Sequence, residues 1–259
     1  MPEHSSWLTL ALAQMRETLE HNAHLLGDSI VGKKSPNWQS WEPIAASLLA
    51  VVLVLLVAVK VRLRLNKSEE AVVPEDRLTL RTFMETFLGY FYDLAKSVMD
   101  AERAKRYFPL IGTSALFVFT ANLLALFPGL PVATSSLNIT LGCALVVFIM
   151  FNAYGLMTNG WSYIAHLAGP AWYLIPLIFP IELISLCVRP VTLAVRLMVN
   201  MTADHLMLGL FLSLVALIVP LPIMLLGCLV VLIQTLVFTM LTCIYIGLAT
   251  EHEAHGAHH

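Results

Sequence analysis

Apolar residues form runs along this chain that are long enough to cross a membrane as helices. The first run covers residues 43 to 59, the second about 109 to 127, and the third about 137 to 157. The second ends at the turn FPGLP, and the third closes at TNGWS. Since a helix needs about 20 apolar residues to cross the hydrocarbon core of a bilayer, each run predicts one span.

The C-terminal part of the chain is apolar over too great a length for upright spans. As single helices, residues 176 to 219 would extend about 66 Å and residues 223 to 249 about 40 Å, against a hydrocarbon core of about 30 Å. We therefore predict two long, strongly tilted helices joined by a turn at residues 219 to 222. Pro180 and Pro190 should bend or break the first of them, because each removes a backbone donor.

Residues 79 to 101 show a different pattern, in which apolar side chains recur at helical spacing and charges lie elsewhere around the helix. The apolar positions are Leu80, Phe83, Met84, Phe87, Phe91, Leu94, Val98 and Met99. This pattern predicts an amphipathic helix that lies against the membrane surface or against other spans.

The composition supports a membrane protein, because 58% of the 259 residues are hydrophobic and only 12% are charged, against roughly 25% charged in soluble domains. We predict an all-α, polytopic fold of about five to six helices. Its divisions are a polar N-terminal segment at residues 1–42, a transmembrane helical domain at 43–250 and a His-rich C-terminal tail at 251–259. The first thirty residues show no cleavable signal peptide.

The basic residues predict the orientation of the chain in the membrane. Four of them follow the first span closely: Lys60, Arg62, Arg64 and Lys67. Because cytoplasmic loops carry an excess of Lys and Arg, this end of the span should be cytoplasmic. We therefore expect the N-terminus outside and the C-terminus in the cytoplasm.

Polar and ionisable residues follow one another at steps of three or four within the first long C-terminal helix, so they share one face. They are Glu182, Ser185, Arg189, Thr192, Arg196, Asn200 and Asp204, and His205 comes next. Four ionisable groups in a membrane cost roughly 10 kcal/mol or more unless partners offset it. We expect this polar stripe to face protein or water.

Two interpretations of the polar stripe remain open from the residues alone. It can be a structural ion-pair network, in which Glu182 pairs with Arg189 or Arg196 with Asp204. It can also be an ion path that a fixed barrier interrupts, because carboxylates and histidine exchange protons whereas arginine stays protonated. The length of the stripe favours the ion path.

The last helix carries one amide in an otherwise apolar sequence. Gln234 lies seven residues after Gly227 and on the same face, so we expect it to have a hydrogen-bond partner on the neighbouring helix. Thr235, Thr239 and Thr242 should bond their own backbone. The four cysteines lie in apolar runs without C-x-x-C spacing, which favours core or lipid-facing positions over ligands or disulfides.

These residues resemble a known family. PVTLAVRLMVNMTADH followed by LIQTLVFTMLTCIYIGLA is similar to the signature region of subunit a, the membrane stator subunit of F-type ATP synthases, in its bacterial form. The resemblance covers about residues 70 to 250 and includes FVFTANLLALFPGLP. It implies a multi-pass protein of the bacterial inner membrane, with a ring of c subunits, the b-subunit stalk, the rest of the F0F1 complex and membrane lipid as partners.

The resemblance also implies roles for individual residues in proton translocation. Protons would pass through two offset half-channels that lead to the carboxylates of the c-ring. Arg196 would be the barrier charge, with the polar groups Asn200 and Gln234 close to it. Glu182 would belong to the cytoplasmic half-channel and His205 to the outer one. Asn122, Ser185, Arg189 and Gly227 would be supporting positions.

Three positions depart from the family pattern. Relatives often carry His or Glu at Gly227, glycine at Asp204 and aspartate at Ala125. If the two long helices cross near Gly227, the relay group has moved to Asp204; alternatively, Asp204 pairs with Arg196 or His205.

Other functions are weaker on the sequence. A secondary transporter with an intramembrane ionic substrate site would show two related halves, and we find no internal repeat. An intramembrane hydrolase would need a nucleophile beside His205. No phosphate loop, HExxH or GxSxG sequence occurs, and no basic stripe suggests nucleic acid. We expect no enzyme activity of this chain alone, no cofactor and no metal, and a disordered His-rich tail.

Overall fold

The computed structural model describes residues 41–65, 79–127, 130, 133–160, 175–214 and 220–250. Within these ranges the chain forms six α-helices and one short 3-10 turn at Ala133–Ser135. The helices are α1 (Glu42–Leu65), α2 (Leu80–Val98), α3 (Ala101–Ala125), α4 (Leu137–Asn159), α5 (Ile175–Leu214) and α6 (Pro220–Ala249). The predicted all-α fold is confirmed, while most of the predicted N-terminal segment and the His-rich tail lie outside the described residues.

Five of the helices, all but α2, are long and apolar enough to cross a membrane. Large apolar side chains remain exposed along them, among them Leu48, Ile149 and Leu225. A bilayer can take up such side chains without cost because its tails are equally apolar. The chain is therefore built as a multi-pass membrane protein.

Helix α2 is the predicted amphipathic segment. The Thr79 side chain accepts a hydrogen bond from the Thr82 backbone N–H (3.4 Å) and caps its first turn. Its buried residues are Arg81, Phe91 and Ala95, and it packs on α3 and α6. Because Met99 is extended, α2 ends at Val98, three residues before the predicted end.

Helix α3 begins at Ala101, about eight residues before the predicted span. The first turns contain charged residues, and Arg103 forms an ion pair with Asp100 at 2.8 Å just before the helix. Hydropathy marks only the part of a helix that can lie in lipid, so it misses a charged first turn. Pro109 lies inside α3 and does not end it.

Helices α5 and α6 confirm the prediction of two long C-terminal helices. Helix α5 continues through Pro180 and Pro190, so neither proline breaks it. Helix α6 begins at Pro220, three residues earlier than predicted, because proline is tolerated in a first turn, where backbone N–H groups lack helical partners. With 40 residues, α5 is about 60 Å long, and its strong tilt in a bilayer stays a prediction.

Small residues hold the helices close together. Fully buried alanines occur on α3, α4 and α5: Ala104, Ala115, Ala121, Ala144 and Ala194. Small side chains let helix backbones approach, which is the main source of packing energy between helices in lipid. Hydrogen bonds join three helices at one end: Tyr107 to Thr158 (3.0 Å) and Asn159 Nδ2 to the Ala249 carbonyl (3.2 Å).

Candidate functional site

The polar stripe of α5 lies along the boundary between its exposed face and its contact with α6. Ser185, Thr192 and Arg196 are exposed, whereas Glu182, Arg189, Asn200 and Asp204 are half-buried. From Arg196, Glu182 lies about 21 Å along the helix axis in one direction and Asp204 about 12 Å in the other. The stripe is therefore divided into two parts by an arginine.

Arg196 projects from the exposed face of α5 among apolar neighbours. Val195 and Val199, which flank it, are exposed as well. In the part of the chain that the structure describes, no ion pair or hydrogen bond involves its guanidinium. Of the two ion pairs that the structural interpretation offered, Arg196–Asp204 is absent there, whereas Glu182 and Arg189 approach each other to 3.9 Å. A guanidinium in the middle of a bilayer costs about 2.5–3.5 kcal/mol unless a partner offsets this cost.

One turn further along, an amide pair joins α5 to α6. Asn200 Nδ2 donates to Gln234 Oε1 at 2.7 Å, and Gln234 is buried. The predicted partner of Gln234 on the neighbouring helix is confirmed. As predicted, the hydroxyl groups of Thr235, Thr239 and Thr242 each donate to the backbone carbonyl four residues earlier. These hydrogen bonds lie within α6 and do not join it to α5.

Beyond the amide pair, α3, α5 and α6 enclose a cavity of about 70 Å³, which we call the outer cavity. Its lining includes Asn122 and Ala125 from α3, Asp204 and His205 from α5, and Gly227 from α6. All three positions that depart from the family pattern thus meet in one space. A water molecule occupies about 30 Å³ in the liquid, so the outer cavity has room for about two.

Two buried polar atoms of residues that line the outer cavity have no hydrogen-bond partner among the described residues: Asn122 Nδ2 and Asp204 Oδ2. The carbonyl oxygen of Asn122 accepts a hydrogen bond from Thr134 (3.2 Å), which orients the amide and leaves its Nδ2 for the cavity. Since buried polar groups are nearly always hydrogen-bonded to protein or water, these two atoms are polar exceptions in a lining that is mostly apolar.

The space beside Gly227 is occupied by a leucine. A Cβ atom added to Gly227 would lie 2.7 Å from Leu126 Cδ1, which is closer than van der Waals contact. The structure thus brings Gly227 and Asp204 to the same cavity, but the atom nearest to a Cβ at Gly227 is a methyl group of Leu126, just after α3, and not the Asp204 carboxylate.

The part of the stripe on the other side of Arg196 contains the Glu182–Arg189 pair, which the sequence spacing suggested. It also contains a contact with Tyr245 that the sequence analysis missed. Arg189 Nη2 lies 3.9 Å from Glu182 Oε1. The Arg189 guanidinium also lies over the ring of Tyr245, 5.4 Å from its centroid. Tyr245 follows Gln234 by eleven residues, or about three helical turns, and this spacing could have placed it on the same face.

No group of three metal-ligating residues occurs within the described ranges. The four cysteines, all described, are free. The described site therefore consists of Arg196, an amide pair, a cavity lined by Asp204 and His205 at one end, and a carboxylate with an arginine at the other.

The chain matches the family described as ATP synthase A chain over residues 44–247. A protein named ATP synthase subunit a from Sorangium cellulosum is 57% identical over 255 residues, which cover 98% of this chain and 100% of that protein. Proteins of the same name from Geobacter sulfurreducens and Bdellovibrio bacteriovorus are 43% identical over 176 residues and 35% identical over 211 residues. These matches cover 68% and 81% of this chain, and 76% and 92% of the relatives.

Proposed function

We propose, from the premise that this chain belongs to the ATP synthase A chain family, that it conducts protons as the stator subunit of a rotary F-type ATP synthase. The chain is a membrane subunit of that complex and is not a catalyst on its own. Its partners would be the c-subunit ring, the b-subunit stalk and the rest of F0F1. The finer mechanism below rests on the geometry of α5 and α6.

The exposed guanidinium of Arg196, which has no ion pair or hydrogen bond with any described residue, is the observation that carries the proposal. An ionised carboxylate on a passing c subunit would supply an anion for this arginine. Because arginine does not release its proton, it attracts that carboxylate without relaying protons itself. A direct leak between the two parts of the stripe would therefore be blocked.

The outer cavity would form the half-channel from outside. Asp204 and His205 both line it, and both side chain types can exchange protons near neutral pH in suitable surroundings. The unpartnered atoms Asn122 Nδ2 and Asp204 Oδ2 would be bridged by water. In this arrangement Asp204 takes over the relay that relatives place at the position of Gly227.

Glu182 would serve the half-channel on the cytoplasmic side, with Ser185 and Arg189 near it on the same face. Its carboxylate keeps 41% of its accessible surface, so water could reach it. This assignment requires the N-terminus outside and the C-terminus in the cytoplasm, in a bacterial inner membrane. Asn200 and Gln234 would then hold α5 against α6 beside the barrier.

The proposal is tested by replacing Arg196 with alanine. In inverted membrane vesicles we expect Arg196→Ala to abolish ATP-driven proton pumping, measured by quenching of a pH-sensitive dye, while the complex assembles. Arg103→Ala is the matched control, because it removes an arginine that pairs with the exposed Asp100 outside the polar stripe, and it should pump normally. Pumping by Arg196→Ala at the wild-type rate would overturn the assignment.

A further inference from the structure

Arg189 is held between groups on two helices. Its guanidinium lies 3.9 Å from the Glu182 carboxylate on α5 and 5.4 Å from the centroid of the Tyr245 ring on α6. We call these three residues the arginine clamp. They lie toward the cytoplasmic end of the polar stripe, far from Asn200 and the outer cavity, so they are separate from the barrier and its amide pair.

Two residues of the arginine clamp, Tyr245 and Arg189, make further contacts that hold them in place. The Tyr245 ring packs on Phe151 of α4 with centroids 5.8 Å apart, and Phe151 is buried. On the other side, Thr192 Oγ1 donates to the Arg189 backbone carbonyl at 2.9 Å. The Tyr245 ring, which contacts the Arg189 guanidinium, is thus packed against a third helix, α4. The backbone carbonyl of Arg189 is hydrogen-bonded to Thr192 in the next turn of α5.

Arg189 Nη2 lies 3.9 Å from Glu182 Oε1, which is too long for a hydrogen bond. A bidentate pair with two short bonds would hold the carboxylate firmly. The observed contact instead keeps a permanent positive charge near a carboxylate whose oxygens can still bind a proton or water. In a bidentate pair, a second carboxylate oxygen helps to fix the position of the guanidinium. Here the Tyr245 ring fixes it instead, because a guanidinium stacks on aromatic faces.

We propose that Tyr245 is a positioning residue for proton transfer at Glu182: its ring holds Arg189 in the loose contact that keeps Glu182 oriented and exchangeable. This inference rests on the proposed function, in which Glu182 serves the cytoplasmic half-channel, and extends it to a residue on α6. Tyr245 acts through Arg189 and does not carry the proton itself.

The test is a double-mutant cycle on proton pumping. The variants are Tyr245→Leu, Arg189→Met and their combination, with the initial rate in inverted vesicles divided by the amount of assembled complex. A contact of this kind corresponds to a change of about twofold to fivefold, so we expect Tyr245→Leu to pump that much more slowly. In the Arg189→Met background, Tyr245→Leu should have no further effect. An equal further loss there would overturn the proposal.

Two variants separate positioning from packing. Tyr245→Phe keeps the aromatic face and should pump at close to the wild-type rate; if it pumps as slowly as Tyr245→Leu, the ring does not act through Arg189. Tyr154→Leu is the matched control, because Tyr154 is a half-buried ring in the same bundle that packs on Tyr107. Its effect should be the same with and without Arg189. If Tyr245→Leu does not assemble, Tyr245→Met replaces it in the cycle.

Glu182→Gln distinguishes failure of the clamp from failure of the proposed function. If Glu182→Gln pumps at the wild-type rate, Glu182 has no role in the path, and both its half-channel assignment and the clamp are refuted. If Glu182→Gln is impaired while Tyr245→Leu is normal, the half-channel stands and the clamp alone is refuted.

Discussion

Single residues of the polar stripe differ in what satisfies them, and these differences separate structural groups from functional ones. Asn200 has Gln234 at 2.7 Å and Arg189 has both Glu182 and Tyr245. Among the described residues, Arg196 has no ion pair or hydrogen bond, and one oxygen of Asp204 is buried without a hydrogen bond. An unsatisfied polar group in a membrane costs several kcal/mol, and this cost is the reason for which we propose roles in proton translocation for Arg196 and Asp204.

The proposed relay at Asp204 predicts the effect of replacing this single residue. Replacing Asp204 with glycine should slow ATP-driven proton pumping roughly a hundredfold, the typical contribution of a positioned proton-transfer group. Gly227→Asp should restore part of the rate in the same chain, because Gly227 lines the same cavity. Adding Leu126→Ala should improve that rescue, since a Cβ on Gly227 would meet Leu126 Cδ1 at 2.7 Å. A wild-type rate for Asp204→Gly alone would refute the relocated relay.

Among the described residues, helices α5 and α6 meet through apolar side chains, the amide pair of Asn200 with Gln234, and the contact of Arg189 with the Tyr245 ring. Val231 and Gln234 of α6 are buried, and so are Leu197 and Met201 of α5. The three threonines of α6 bond their own helix. The amide pair therefore supplies the side-chain hydrogen bond between α5 and α6 in this part of the chain.

The amide pair predicts a measurable contribution to stability. Gln234→Leu should lower the free energy of unfolding of the purified complex in detergent by about 1 kcal/mol, because the Asn200 amide loses its partner. Substituting both residues with leucine should cost less than the sum of the two single changes. Thr242→Val is the control, since Thr242 bonds the Phe238 carbonyl of its own helix. If the control costs as much as Gln234→Leu, a cross-helix contribution is excluded.

The whole molecule has an asymmetry along the membrane normal. Charged residues accompany one set of helix ends, at the end of α1, in α2 and at the start of α3. The chain around the end of α3 and the start of α4 is free of formal charge, and the start of α1 carries Glu42. From the positive-inside rule we predict one orientation for all five spans, and this prediction assigns the two halves of the polar stripe to their compartments.

Thiol labelling tests this orientation. The four native cysteines are first replaced, and a single cysteine is introduced at the exposed position Asn138 or Lys105. In right-side-out vesicles a membrane-impermeant maleimide should label Asn138→Cys and not Lys105→Cys, and inverted vesicles should show the reverse. The opposite pattern would place the N-terminus in the cytoplasm and exchange the proposed half-channels.

Much of the fold could be predicted from the sequence because it depends on local properties. The spans follow from the lengths of apolar runs, and α2 follows from apolar residues at helical spacing. The partner of Gln234 and the self-bonded threonines followed from the cost of an unsatisfied polar group in lipid. The start of α3 at Ala101 did not follow, because hydropathy registers the lipid-exposed part of a helix and not its charged first turn.

By itself, the sequence determined that the chain is a helical membrane protein with an arginine dividing a polar stripe, because helix periodicity and the cost of charge in lipid act within one segment. Only the tertiary structure decided that Asn122, Asp204 and Gly227 share one cavity, and that Tyr245 supports Arg189. These residues lie on different helices far apart in the chain. Whether they meet depends on how helices rotate and cross, and that is set by packing of side chains between helices, which no single segment encodes.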